Sequence, residues 1–289
     1  MYSLVKIGGS DAALFLQGQL TQDLNLVRDS GCLPGAWLDP RGRVIATLRI
    51  LRLKNGFGLV VSASIAESFV SRLGMYRLRA DVSMEIAGPE WISIATDNEN
   101  DRAALRACDL LPKATMNACS VSSDLHAVST GAIYTVVELF GDSAAFSAAG
   151  LALQQPMSEQ QWRLARIQAG NADIGLENTG KYTAHMLNLD LTAAVSFDKG
   201  CYTGQEIVAR TEHRGRSKRR MMCYHSHDAV ATIGDKLWHG DHAVGEVVNA
   251  AGTELLAVIP LNHHGEPLEL AGKPVEPVGL PYNIPADAV

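Results

Sequence analysis

The stretch 198-DKGCYTGQEIVAR-210 sets Lys199, Gly200, Cys201, Gly204, Gln205 and Glu206 within eight positions. Few structural demands call for that grouping. Thr203 followed by Glu206 is a capping-box pattern, which predicts a short helix from Gly204 with Ile207 and Val208 turned to the core. Cys201 then sits just before a helix N-terminus, where the helix dipole and Lys199 both favour thiolate over thiol. Gly200 would let backbone approach a ligand closely. On this reading Cys201 is reactive or contacts a ligand. The alternative is a buried cysteine in a tight loop–helix junction. No zinc spacing, Walker lysine loop or Gly-x-Ser-x-Gly elbow competes with it.

Upstream, helical and strand patterns alternate. Ser10 is placed to cap a helix over 11–20. Asn55-Gly56 between 43-RVIATLRILRL-53 and 57-FGLVVS-62 predicts a hairpin whose turn tolerates positive φ. Ser64 and Glu67 form a capping-box pattern for a helix over 64–79, with Ile65, Phe69, Leu73 and Tyr76 on one stripe. Strands are expected at 80–86, 91–96 and 132–140, and a weaker helix at 99–108. Ser158, Gln161 and Gly170 bracket another helix. Residues 171–197 read as a long loop, a kind of segment that is often functional.

After Arg220 the pattern becomes short β runs punctuated by Gly and Pro, at 236–240, 243–250, 254–261, 268–270 and 273–279. This spacing argues for a small antiparallel barrel or sandwich, with a boundary near 213–220.

The 289 residues suffice for about two domains, with 47% hydrophobic and 19% charged residues. No apolar run is long enough to span a membrane, and the start lacks a secretory pattern. The five cysteines, odd in number and without a CxxC pair, fit a reducing compartment and argue against a thiolate zinc site. A soluble cytoplasmic protein is expected. His225 and His227 alternate along one predicted strand face, and a solvated strand edge is the favoured reading over a metal site. The segment 210–220 holds six basic residues against Glu212, a local +5, so the rest of this chain of net charge −6 carries −11. That strip suits an anionic partner or a solvated connector. Direct nucleic-acid binding is not expected, since the remainder is acidic and no aromatic stacking pattern accompanies the strip.

The run KGCYTGQEIVAR resembles the signature of the YgfZ-type folate-binding proteins, relatives of the glycine-cleavage T-protein that include mitochondrial iron–sulfur assembly factors. Four other blocks resemble that family in order and spacing: 15-FLQGQLTQDL-24, 39-DPRGRVIATLRI-50, 166-RIQAG-170 and 214-RGRSKRR-220. The resemblance implies an α+β fold. Interwoven α+β modules would form a T-protein-like folate-binding body over 1–212, followed by a C-terminal antiparallel β-barrel over 213–289. It also implies tetrahydrofolate or a derivative as ligand, and iron–sulfur client enzymes or assembly proteins as partners. Among those clients are radical enzymes that thiolate tRNA. The ligand would lie near Arg166, Gln168 and the loop carrying Lys199, Gly200, Cys201, Tyr202, Gly204, Gln205 and Glu206. Arg210 or Arg214 would attract its anionic tail. Cys201 would be the functionally required thiol, with Lys199 beside it.

Two departures separate the chain from a T-protein. The acidic pair that T-proteins place after the second block is matched by Ala46 and Thr47. The glutamate that reads the pterin is matched by Gln168, which can hydrogen-bond but carries no charge. Both argue against aminomethyl transfer, although a folate-dependent one-carbon transferase remains the alternative to an accessory factor. In the loop 184-AHMLNLD-190, Asn188 and Leu189 match the YgfZ pattern but Ala184 and His185 do not. His185 there either contacts ligand or, as the favoured reading, faces water.

Overall fold

The computed structural model describes residues 2–122, 124–130, 135–214 and 217–285. The side chain of Arg214 and the whole of Arg216 lie outside the described residues, as do positions 132–134 of the strand expected at 132–140.

The first module runs β1 (Tyr2–Gly8), α1 (Ala12–Gln19), α2 (Leu24–Ser30), β2 (Cys32–Leu38), β3 (Val44–Leu53), β4 (Gly56–Ser62), α3 (Ala66–Gly74) and β5 (Ser83–Ile86). Its antiparallel sheet has the order β2-β3-β4-β1-β5. The second module runs β6 (Trp91–Thr96), α4 (Glu99–Ala107), β7 (Cys119–Ser122), β8 (Leu125–Thr130), β9 (Val136–Asp142) and α5 (Ser143–Ala148), with sheet order β6-β9-β8-β7. Then come α6 (Glu159–Gln168), a long irregular segment, and α7 (Gln205–Arg214). The chain ends in β10 (Arg219–Ser226), β11 (Lys236–His239), β12 (His242–Ala251), β13 (Glu254–Pro260), β14 (Leu268–Leu270) and β15 (Lys273–Val278). These close a barrel in the order β10-β13-β12-β11-β14-β15.

Strand alternation builds the layers. On β3, Ala46, Leu48 and Ile50 pack with Leu16, Phe69 and Leu73 of the covering helices, while Leu51 joins Val128, Phe140 and Trp162 on the other face. The two sheets and α6 therefore face one another across that second core. On β10, Met222 and Tyr224 fill the barrel, whereas Met221 and Cys223 pack outward with Ile174, Leu187 and Tyr202. Each such buried side chain contributes about 1.5–3 kcal/mol relative to exposure, so body and barrel are joined through a core of their own.

The irregular 171–197 segment is real, and its asparagine and threonine side chains satisfy backbone carbonyls of the strands around it. Asn178 donates to the Val248 carbonyl (2.9 Å), Asn188 to Met221 (2.7 Å), and Thr179 to Ile45 (2.7 Å). The loop stitches barrel to body.

Local expectations fared unevenly. Ser158 and Gln161 form the reciprocal capping box of α6, and Gly170 follows with φ +66°. The hairpin exists, but Leu53 pairs with Gly56, so Lys54 and Asn55 make the turn and only Gly56 (φ +112°) is left-handed. Ser10 does not cap α1, because its hydroxyl donates to Asp81 at 2.9 Å. Ser64 does not cap α3 either. A 3₁₀ turn at Ala63–Ile65 delays the helix, and the Ser64 hydroxyl accepts from the Leu176 N–H instead.

Candidate functional site: a buried arginine–glutamate centre and an exposed cysteine loop

Thr47 and Arg49 occupy the β3 face turned away from the helices. Arg49 Nη2 reaches Oε2 of Glu138, on β9, at 3.0 Å, and Arg166 Nη1, on α6, reaches the other oxygen at 2.7 Å. Trp162 Nε1 donates to that same oxygen at 2.8 Å. Glu138 is fully buried. Burial alone would raise its pKa, but Arg166 and Arg49 outweigh it and hold the carboxyl below its usual range.

Arg166 also stacks over the Tyr2 ring at 5.3 Å, and Tyr2 donates its hydroxyl to Asp173 at 2.8 Å. The Arg166 Nε is buried with no hydrogen-bond partner among the described residues, leaving a donor that a ligand acceptor could satisfy. Thr47 Oγ1 accepts from the Ile174 N–H at 3.0 Å.

Two cavities meet here. A narrow one of about 50 Å³ is lined by Thr47, Arg49 and Asn117 among others. A larger one of about 460 Å³ extends past Ser62, Ser64 and Asn249. Tyr2, Arg166, Asn171 and Asp173 line both. The shared wall thus offers a guanidinium, an amide, a carboxylate and an aromatic face. These groups can orient a flat polar heterocycle by donors, acceptors and stacking.

The cysteine loop lies elsewhere. Lys199 Nζ donates to the carbonyls of Gln17 (2.7 Å), Leu20 (2.7 Å) and Gln22 (2.9 Å), and sits over the Tyr202 ring at 5.0 Å. Burial pushes its pKa down to about 8, while the three carbonyls favour the charged form that burial disfavours. The cation completes the C-terminal end of α1, where carbonyls otherwise lack partners. Tyr202 is buried, with its phenol pushed up to about 12 by desolvation. Cys201 is exposed and makes no hydrogen bond among the described residues, so the tight-junction alternative of a buried thiol is set aside. Gly204 (φ +81°) lies against the β2–β3 turn, where an added Cβ would meet the Asp39 carbonyl at 2.6 Å. Nothing crowds Gly200.

The expected capping box is absent. Thr203 donates to Gln19 (3.3 Å), and Glu206 pairs with Arg210 (2.8 Å) on the exposed face of α7. Gln205 opens α7 half-buried.

The structure therefore brings together Arg166 with Arg49, Glu138 and Asp173, but not with the 199–206 loop, which lines neither cavity. Gln168 also lines neither. It is exposed on the last turn of α6, opposite the buried Ile167. The basic strip is interrupted, because Arg220 is buried and bonded to Asp190 (2.7 Å) and to the His185 carbonyl (3.0 Å). His185 does not face water, being 3% exposed with Nε2 3.2 Å from Glu212. His225 and His227 are not on an edge strand, because β10 is paired on both sides in the closed barrel. His225 is half-buried and His227 exposed just past the strand end, each beside its own carboxylate, Glu254 and Glu276.

Sequence reasoning missed Tyr2, Arg49, Glu138 and Asp173. For Arg49 and Glu138 a signal existed, since each is a charge flanked on both sides by apolar residues within a strand. Such residues are rarely buried unless paired.

No protein-family model matches the chain. It is 28% identical over 278 residues to the tRNA-modifying protein YgfZ of Klebsiella pneumoniae (strain 342), covering 92% of this chain and 84% of that one. It is 29% identical over 229 residues to the tRNA-modifying protein YgfZ of Hamiltonella defensa subsp. Acyrthosiphon pisum (strain 5AT), covering 76% of this chain and 66%, just under two thirds, of that one. Among solved structures, the glycine cleavage system aminomethyltransferase T from Bartonella henselae superposes with a TM-score of 0.69 at 18% identity, covering 95% of this chain and 81% of that one. That likeness concerns the fold, an α+β body followed by a closed antiparallel barrel. No helix among the described residues is long and apolar enough to cross a membrane. The chain is similar over most of its length to the tRNA-modifying protein YgfZ and has the fold of the glycine-cleavage T-protein.

Proposed function

We propose that this protein is a cytoplasmic, tetrahydrofolate-binding accessory factor for the assembly or repair of iron–sulfur clusters, indirectly supporting tRNA modification. The proposal divides the chain near residue 212 into a folate-binding body and a barrel. The folate lies at the cavities around Arg166, and Cys201 is the thiol presented to client or assembly proteins. Lys199, Gly200, Tyr202, Gly204, Gln205 and Glu206 shape that loop, and Arg210 borders it.

The observation that carries this reading over aminomethyl transfer is the wall of β3. Where a T-protein is expected to place an acidic pair, Ala46 points into the helix-covered core and Thr47 already accepts a backbone hydrogen bond. The nearby Glu138 is saturated by two arginines and a tryptophan. The separation of Cys201 from the cavities fits a thiol that meets a partner protein.

Folate calorimetry, together with complementation of a strain lacking its own family member by the intact protein and by Cys201→Ala, tests the reading. Folate binding with loss of complementation by Cys201→Ala is expected. No folate binding at millimolar concentration would sink it.

A second reading, a folate-dependent one-carbon transferase, is favoured by Asp173, a carboxylate facing both cavities. Formaldehyde released or transferred from an amine donor with tetrahydrofolate, and abolished in Asp173→Asn, would establish that reading instead.

A further inference from the structure

We infer that the barrel carries a binding site for a divalent transition metal, formed by His239, His263 and Glu266. Two chain segments converge there. His239 ends β11, His263 ends the 3₁₀ turn Leu261–His263 that follows β13, and Glu266 lies three residues further on. Their candidate ligand atoms all lie within 4.8 Å of one another. Both imidazoles direct Nδ1 at one carboxylate oxygen, with Glu266 Oε2 2.6 Å from His263 and 3.6 Å from His239. The two rings stand 5.2 Å apart.

The convergence of the donors is what points to a cation. A proton on one imidazole could neutralise Glu266, but both rings turn Nδ1 toward the same carboxylate oxygen, and a cation at that point engages all three side chains at once. Among the described residues, no lysine or arginine pairs with Glu266. Compare the other convergence of such groups among the described residues, His185, Asp190 and Glu212. There the Arg220 guanidinium, 2.7 Å from Asp190, already supplies the positive charge. His225 and His227 are closer still, at 4.6 Å between rings, but they engage separate carboxylates and share no common point.

Two nitrogens and one oxygen suit ions of intermediate softness such as Zn²⁺, Ni²⁺ or Co²⁺ over Mg²⁺ or Ca²⁺. Metal–ligand bonds of about 2.0–2.2 Å in a tetrahedral shell set donors about 3.4 Å apart, so Glu266 must draw back from His263 (2.6 Å) and close slightly on His239 (3.6 Å). The side chains are partly exposed and free to do so. His239 Nδ1 also lies 3.1 Å from the Pro267 carbonyl. Ligation through that atom would leave the proton on Nε2. Three protein donors leave a coordination position for water or a small ligand, as in an exchangeable rather than a purely structural site. None of the three residues lines the cavities around Arg166, so the site stands apart from the folate proposal.

Calorimetric titration of the full chain with Zn²⁺ tests this, run in the Cys201→Ala background so that the exposed thiol cannot contribute. A single equivalent should bind, with an affinity that falls as pH drops through the imidazole range. His239→Ala and Glu266→Gln should each weaken it by at least about tenfold, and His225→Ala should leave it unchanged. Absence of Zn²⁺ binding, binding that survives both substitutions, or binding that His225→Ala removes would overturn the assignment.

Discussion

Arg49 Nη2 and Glu138 Oε2 lie 3.0 Å apart, joining interior strands of two different sheets. Arg166 holds the other oxygen of Glu138 at 2.7 Å. One buried carboxylate thus balances guanidiniums from a strand and a helix. Removing its charge leaves two buried cations facing each other. Glu138→Gln should cost about 3–5 kcal/mol in urea unfolding.

The same centre sets an acid limb. The folded-state pKa of Glu138 is depressed, so its contribution is complete above the ordinary carboxylate range. It is lost as pH falls below about 4.3 toward the lower folded value. Wild type should therefore lose stability more steeply than Glu138→Gln in that window. Parallel acid limbs in pH-dependent melts would contradict the assignment.

Lys199 spends its three donors on carbonyls near the end of α1, so its substitution is expected to act on stability. Lys199→Met should cost about 1.5–3 kcal/mol and expose the 199–206 loop to protease. If thermal unfolding is unchanged while complementation is lost, the lysine acts on a ligand or partner instead.

Cys201 is exposed and makes no hydrogen bond among the described residues, so Cys201→Ser should change stability by no more than about 0.5 kcal/mol. It should also be the first thiol alkylated. Cys32 and Cys223 are buried, and burial pushes the Cys223 thiol up to about 12. Cys119 is held protonated by its hydrogen-bonded neighbour Cys32 and by burial. Mass mapping after brief alkylation of the native protein checks the order. Cys108 or Cys119 modified ahead of Cys201 would count against it.

The two glycines of the loop should behave oppositely. Gly204→Ala forces a Cβ to within 2.6 Å of a carbonyl at φ +81°, and should cost about 1–3 kcal/mol. Gly200→Ala meets open space and should leave melting unchanged. A loss of folate or partner binding in Gly200→Ala alone would show that its missing side chain serves close approach.

Sequence by itself determined what neighbouring residues decide. The capping box of Ser158 and Gln161, the left-handed Gly170, the β3–β4 hairpin and the short barrel strands all follow from chemistry within a few positions. The resemblance carried by residues 198–210 and four further blocks extended that to the α+β body and its barrel. Tertiary structure alone decided where donors end up. Lys199 finds Gln17 across 182 positions, and Arg49 finds Glu138 across 89. It also left Gln168 outside the cavities and buried His185 against Glu212. The physical reason is that a buried charge must find its counter-charge or acceptors wherever the sheets bring them together. That pairing is set by strand order and layer packing, and it leaves only a trace in the chain, an Arg or Glu flanked by apolar neighbours within a strand.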